Sequence, residues 1–176
     1  MKRLISTTCA VLIAGGAFSS TALGANDANP NNVAAKQCQA EKQAVGNKAF
    51  KEIYGGKNAM QRCHQANRSE AEAAVANASQ QCAAEREAIG EEAFIAQYGK
   101  NENDKNAFGK CVSAKAQAET DENVAATANA SQQCRAERKA SGDEAFAAKY
   151  GTNANGRNAF GKCVSALAQA EPAPTA

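Results

Sequence analysis

The strongest constraint on this chain is that it repeats itself. Asn77–Glu119 aligns without a gap to Asn129–Glu171, with 32 of 43 positions identical. Both copies begin NASQQC, contain YG-x-N-x-N-x-x-NAFGKCVSA and end AQAE. A diverged copy precedes them. Cys38, Glu41, Gly46, Ala49, Phe50, Tyr54 and Gly55 match Cys134, Glu137, Gly142, Ala145, Phe146, Tyr150 and Gly151. After a four-residue deletion, Asn58, Ala59 and Cys63 match Asn158, Ala159 and Cys163. A chain of this kind builds one small unit three times. The expected division is 33–76 for the first unit, 77–128 for the second and 129–171 for the third.

Each unit holds two cysteines. The pairing that treats the copies alike is Cys38–Cys63, Cys82–Cys111 and Cys134–Cys163; bridges between neighbouring units are the alternative. A bridge closing 25–30 residues stabilises by about 3–4 kcal/mol. That is large for a unit of roughly 40 residues, whose core alone is marginal.

The compartment follows from the first residues. Lys2 and Arg3 precede an apolar stretch from Ala10 to Phe18, too short to span a bilayer. Ala22-Leu23-Gly24 offers small residues for cleavage, so residues 1–24 read as a secretory signal. Cys9 falls inside it, which leaves six cysteines in a chain bound for an oxidising compartment. The expected location is secreted or extracytoplasmic. The chain has 20 Lys+Arg and 18 Asp+Glu; without Lys2 and Arg3 the two are equal. No basic footprint is left for nucleic acid or an anionic membrane, so neither is an expected partner after signal cleavage.

The third copy gives the clearest structural reading. Asn129 and Gln132 form a capping-box pattern, opening a helix through Cys134 and Arg138 that stops near Gly142. Ser141-Gly-Asp-Glu144 resembles a second box, starting a short helix with acids at its positive end. Ala145, Phe146 and Tyr150 share a face, and Gly151 is placed to end the helix in the left-handed conformation. Thr152–Arg157 is a polar loop. Asn158 then caps a helix whose Phe160, Cys163, Val164 and Leu167 follow a helical spacing. The expected fold class is all-α: three tandem disulfide-stapled helical hairpin units, each long helix, short helix, loop, long helix. Phe146, Tyr150 and Phe160 read as core, as do Phe94, Tyr98, Phe108, Val112 and Ile89 in the second unit.

The linkers pull two ways. No Gly or Pro occurs from Lys57 to Ile89 or from Lys110 to Ser141, which favours an unbroken helix between units. Asn77 and Asn129, and the weak helix formers Thr120–Asn123, favour a fresh start. A continuous helix would make a rod, a break a flexible string. Residues 25–32 and 172–176 are expected to be disordered.

Candidate chemistry is sparse. Asn101, Asn103, Asp104 and Asn106 match Asn153, Asn155, Gly156 and Asn158. Side-chain oxygens at alternating positions can ligate Ca²⁺, but the third loop has no carboxylate and the first unit lacks the loop. Turn formation is the expected role, with a partner-contact surface as the functional alternative. No metal and no cofactor are expected. There is no C-x-x-C for dithiol chemistry, and Cys63-His64 lacks the upstream cysteine of a haem site. His64 is the single histidine and reads as a surface residue. Glu41, Glu85 and Glu137 recur three residues after a cysteine, each followed by Lys or Arg, and are expected to order the unit by a salt bridge or hydrogen bond. The N-x-S triplets at Asn67, Asn77 and Asn129 are expected to carry no glycan.

The string YG-x-N-x-N-x-x-NAFGKCVS, at Tyr98–Ser113 and Tyr150–Ser165, resembles a repeat of uncharacterised exported actinobacterial proteins. The resemblance implies a bacterial secreted origin and transfers no activity or catalytic residue. The first unit departs from the string by its shortened loop and by Met60 and Gln61. The functional expectation is an exported non-enzymatic structural or binding repeat protein. Its partner would be a cell-wall polymer or another exported protein, met through the two Asn loops. A small secreted hydrolase or inhibitor-like effector, and a calcium-responsive module, are the alternatives.

Overall fold

The computed structural model describes residues 28–99 and 106–170. The expected signal, Asn101, Asn103 and the 172–176 tail lie outside those residues. The described chain is all-α, without strands: α1 Pro30–Val45, α2 Asn47–Tyr54, a 3-10 turn Gly56–Asn58, α3 Ala59–Ile89, α4 Glu91–Tyr98, α5 Ala107–Ser141, α6 Asp143–Tyr150 and α7 Ala159–Ala170. Each unit is two antiparallel helices with a short helix between them, and three disulfides staple the pairs: Cys38–Cys63, Cys82–Cys111 and Cys134–Cys163.

Helix α1 starts inside the segment expected to be disordered. The Asn29 side chain accepts the Asn31 N–H at 2.9 Å, and Pro30 occupies the first turn, where its missing N–H costs nothing. The long and short helices of each unit meet at a single glycine. Gly46, Gly90 and Gly142 have φ of 81°, 83° and 84°, a backbone region closed to other residues. The N–H of each closes the helix before it, and its carbonyl accepts from the phenylalanine that anchors the helix after it. So no side-chain box opens α6: Ser141 Oγ donates back to the Glu137 carbonyl at 3.0 Å.

The linking helices are unbroken. Asn77 lies within α3 and Asn129 within α5, so neither is a cap. Helix α3 has 31 residues and α5 has 35, lengths of about 46 and 52 Å at 1.5 Å per residue. The cause is packing across the unit border. Ala71, Ala74, Ala78 and Cys82 form one buried stripe from the end of unit 1 into unit 2, and burial of such a stripe outweighs a local cap preference. Asn77 Nδ2 donates instead to Glu119 Oε1 on α5 at 3.3 Å. With Asn123 bonded to Glu70, these contacts step along α3 and α5 in opposite directions.

An end-to-end rod is not what results. Units 1 and 3 lie side by side and share one core of Cys38, Val45, Phe50, Cys63, Cys134, Phe146, Phe160 and Cys163. Unit 2 has its own core of Cys82, Phe94, Cys111, Val112 and Ala116, which borrows Val33 and Ala34 from α1. The close approach runs through Gly161. A Cβ there would stand 2.7 Å from the Ile53 carbonyl oxygen of α2. Arg138 ties the same contact, with Nη1 3.2 Å from Glu52 Oε2 and its guanidinium 5.1 Å from the centre of the Phe160 ring. Arg135 donates to the Val45 carbonyl.

Two core assignments in unit 2 need correction. Ile89 is 42% exposed, and Phe108 is only half-buried. The positions are sound in the repeat but the neighbour is missing: Val45 and Phe160, their equivalents, are buried in the joint core of units 1 and 3. Gly151 also behaves differently from expectation. Its φ is −72° and its ψ 128°, extended backbone, while Gly55 in unit 1 is left-handed at φ 83°. What position 151 requires is space, since a Cβ there would meet the Ala147 carbonyl oxygen at 2.5 Å.

Candidate functional site

The one constellation of ionisable groups present in every unit surrounds its disulfide. The six bridged sulfurs are fully buried. One helical turn beyond the first cysteine of each pair stands the recurring glutamate, and a tyrosine thirteen residues later donates its hydroxyl to it. Tyr54 bonds Glu41 at 2.5 Å, Tyr98 bonds Glu85 at 2.9 Å and Tyr150 bonds Glu137 at 2.8 Å. Each bond ties the last turn of the short helix to the helix before it. The same tyrosines pack on the core phenylalanines, with ring centres 4.9 to 5.0 Å apart.

The three carboxylates differ in what compensates them. Glu41 is 2% exposed and has no cation beside it. Asn67 Nδ2 donates to it at 3.0 Å and lies 3.4 Å from Cys63 Sγ. Burial raises the Glu41 carboxyl above its ordinary value, against the Tyr54 and Asn67 bonds that lower it; the nearby Glu70 charge adds to the rise. Tyr54 is pushed far up, by burial first and then by the Glu41 charge. Position 67 is Lys115 in unit 2, and Lys115 Nζ lies 3.0 Å from Glu85 Oε2. Its bond, then that of Tyr98, holds Glu85 below the usual range. In unit 3 the place of Lys115 is taken by Leu167, and Lys149 of α6 supplies the charge instead, 2.6 Å from Glu137 Oε1. Glu137 is lowered by Lys149 first and Tyr150 second, and Lys149 is raised in return.

The expectation of an ordering glutamate therefore stands, with a partner that composition did not suggest. The tyrosines read as core filler, yet their hydroxyls make the bond. The signal was present in the sequence: Glu and Tyr recur thirteen apart in all three copies.

The Asn loop of unit 3 is a self-closed turn. Asn158 Oδ1 accepts the Thr152 N–H at 3.1 Å, and its Nδ2 donates to Thr152 Oγ1 at 2.6 Å. Asn155 Oδ1 accepts the Arg157 N–H at 3.2 Å. Asn153 and Asn155 are exposed and Asn158 is half-buried. Asn106, its counterpart in unit 2, precedes α5 without a side-chain capping bond. The two loops are not brought together. Asn106 stands at the start of α5, while the third loop lies near the end of α5, because the Cys134–Cys163 staple sets α7 antiparallel to it. Helix length puts them about 50 Å apart.

His64 is half-buried in a shallow open groove with Asn31, Met60, Gln61, Gln65 and Arg68. Among the described residues no group of three or more His, Cys, Asp or Glu gathers as metal ligands, and no helix is long and apolar enough to cross a membrane. No family model, curated protein or solved structure matches the chain.

Proposed function

We propose that this is an exported bacterial protein that works outside the cytoplasm as a non-enzymatic structural or binding element. The observation that carries the reading is the inward use of its recurring ionisable residues. Glu, Tyr and their amide or lysine partners close around each staple, and each pair bonds within its own unit. Three fully buried disulfides suit an oxidising compartment and resist reduction there. The secretory signal and the resemblance to exported actinobacterial repeats support the same location.

Partner contact falls to the two Asn loops, with a wall polymer or another exported protein as the class of partner. Loops about 50 Å apart on a stiff helix favour a target that repeats, since a second contact then forms at high effective concentration. The calcium reading gains nothing from the third loop, where Asn155 and Asn158 oxygens already accept backbone N–H groups.

The test is retention of the oxidised, signal-free chain on purified wall fractions, beside a variant with residues 152–157 replaced by a short Gly linker. Retention of the intact chain with release of the variant is expected. Equal retention of both refutes the loop assignment. No binding of the intact chain to wall fractions or to co-exported proteins removes the binding half of the reading.

A further inference from the structure

The three units are unequal in company. Helix α2 of unit 1 packs on α7 of unit 3 as well as on its own unit, whereas α4 of unit 2 packs only on α3 and α5. Units 1 and 3 form a pair, and unit 2 projects alone at the other end of the long helices. Yet unit 2 keeps the residues that make the pair. Arg86 lies 5.4 Å from the centre of the Phe108 ring, as Arg138 does from Phe160 at 5.1 Å. Gly109, itself buried, holds the place of Gly161. Ile89 holds the place of Val45 and is the one large hydrophobic residue exposed among the described residues. Where Arg138 reaches Glu52 of unit 1, the half-exposed Arg86 side chain has only Glu91 of its own unit, at 3.7 Å.

We propose that unit 2 is a self-association surface, and that its occupant is unit 2 of a second copy of this chain. The argument is the precedent inside the molecule: what covers this face on unit 3 is another unit of the same repeat. Unit 2 holds both halves of that contact. The Ile89 edge with α4 corresponds to the part offered by unit 1, and Arg86–Phe108–Gly109 to the part that receives it on unit 3. Two unit-2 ends can therefore cover each other in a closed pair. Helix α4 has Ala96 and Gln97 where α2 has Glu52 and Ile53. The ion pair of the internal contact is missing, so the association is weak and reversible, in the micromolar range or above. Equal numbers of acids and bases in the signal-free chain leave no net charge to oppose it. The inference stands apart from what the loops bind.

The test is sedimentation velocity on the oxidised, signal-free chain from micromolar to submillimolar concentration, with amide exchange at both extremes. A concentration-dependent dimer is expected, with added protection confined to the end of α3 and to α4. Ile89→Lys should leave the far-UV spectrum and melting temperature unchanged, because the residue is exposed, and should raise the dissociation constant at least tenfold. A chain monomeric throughout the range overturns the proposal. So does a dimer that Ile89→Lys leaves intact, or protection that appears on units 1 and 3 instead.

Discussion

Replacing Cys134 and Cys163 together with alanine removes one staple and little else, because both sulfurs are fully buried and alanine is already common in the surrounding core. The bridge spans a separation of 29 residues. The chain-entropy relation gives about 12 cal/mol/K for a loop of that size, or about 3.6 kcal/mol at 25 °C. A small term for the lost sulfur packing adds to it. In a protein of this length 1 kcal/mol moves the melting temperature by about 2–4 °C, so the expected drop is about 7–14 °C. The Cys38–Cys63 bridge has a separation of 25, which lowers the entropic figure by only about 0.1 kcal/mol. Entropy alone therefore predicts near-equal losses in units 1 and 3. The assay is thermal unfolding by circular dichroism with a urea titration, where coincident transitions license a single free energy. A loss below about 1 kcal/mol from the 134–163 pair would refute the claim that these units depend on their staples.

Gly161→Ala tests the contact of unit 1 with unit 3. Helix propensity favours alanine by up to about 1 kcal/mol, but a Cβ 2.7 Å from the Ile53 carbonyl costs about 1–3 kcal/mol; a net loss in urea melts is expected, and a gain contradicts the close approach. Tyr54→Phe leaves Glu41 charged with one fewer donor and should cost about 1.5–3 kcal/mol at pH 7. The loss should shrink in acid, where Glu41 is protonated; a cost independent of pH argues against the bond. Glu41→Gln should change how stability depends on pH. The folded chain holds the Glu41 proton more tightly than the unfolded chain, so its contribution declines as pH rises above 4.5 toward the folded value. Glu85 and Glu137 act in the opposite sense, contributing above 4.5 and losing that contribution as pH falls below it. Stability measured from pH 3 to 8 should gain at the alkaline side in Glu41→Gln relative to the parent; an unchanged profile removes Glu41 from the account.

What could be read from the sequence was whatever repeats. The all-α class, the three units, the short helix before Tyr54, Tyr98 and Tyr150, and the aromatic cores are all written in each copy. The linkers were ambiguous because Asn77 and Asn129 are good caps in isolation. Only the alanine stripe from Ala71 to Cys82 shows that the packing runs past them. The pairing of units 1 and 3 was hidden for another reason. It rests on single residues outside the shared pattern, Glu52 and Arg135, and on Gly161, whose counterpart Gly109 is the same residue in a different setting. The different fates of Glu41, Glu85 and Glu137 were equally hidden, because the deciding partner lies on a different helix in units 2 and 3.

Non-reducing peptide mapping of the exported protein examines the staples themselves. Cleavage after Lys and Arg separates the cysteines of each unit and of different units, so every linked pair of peptides names one bridge. Cys38 with Cys63, Cys82 with Cys111 and Cys134 with Cys163 is the result this architecture requires. A peptide pair joining cysteines of two different units, or free thiols at any of the six, contradicts it.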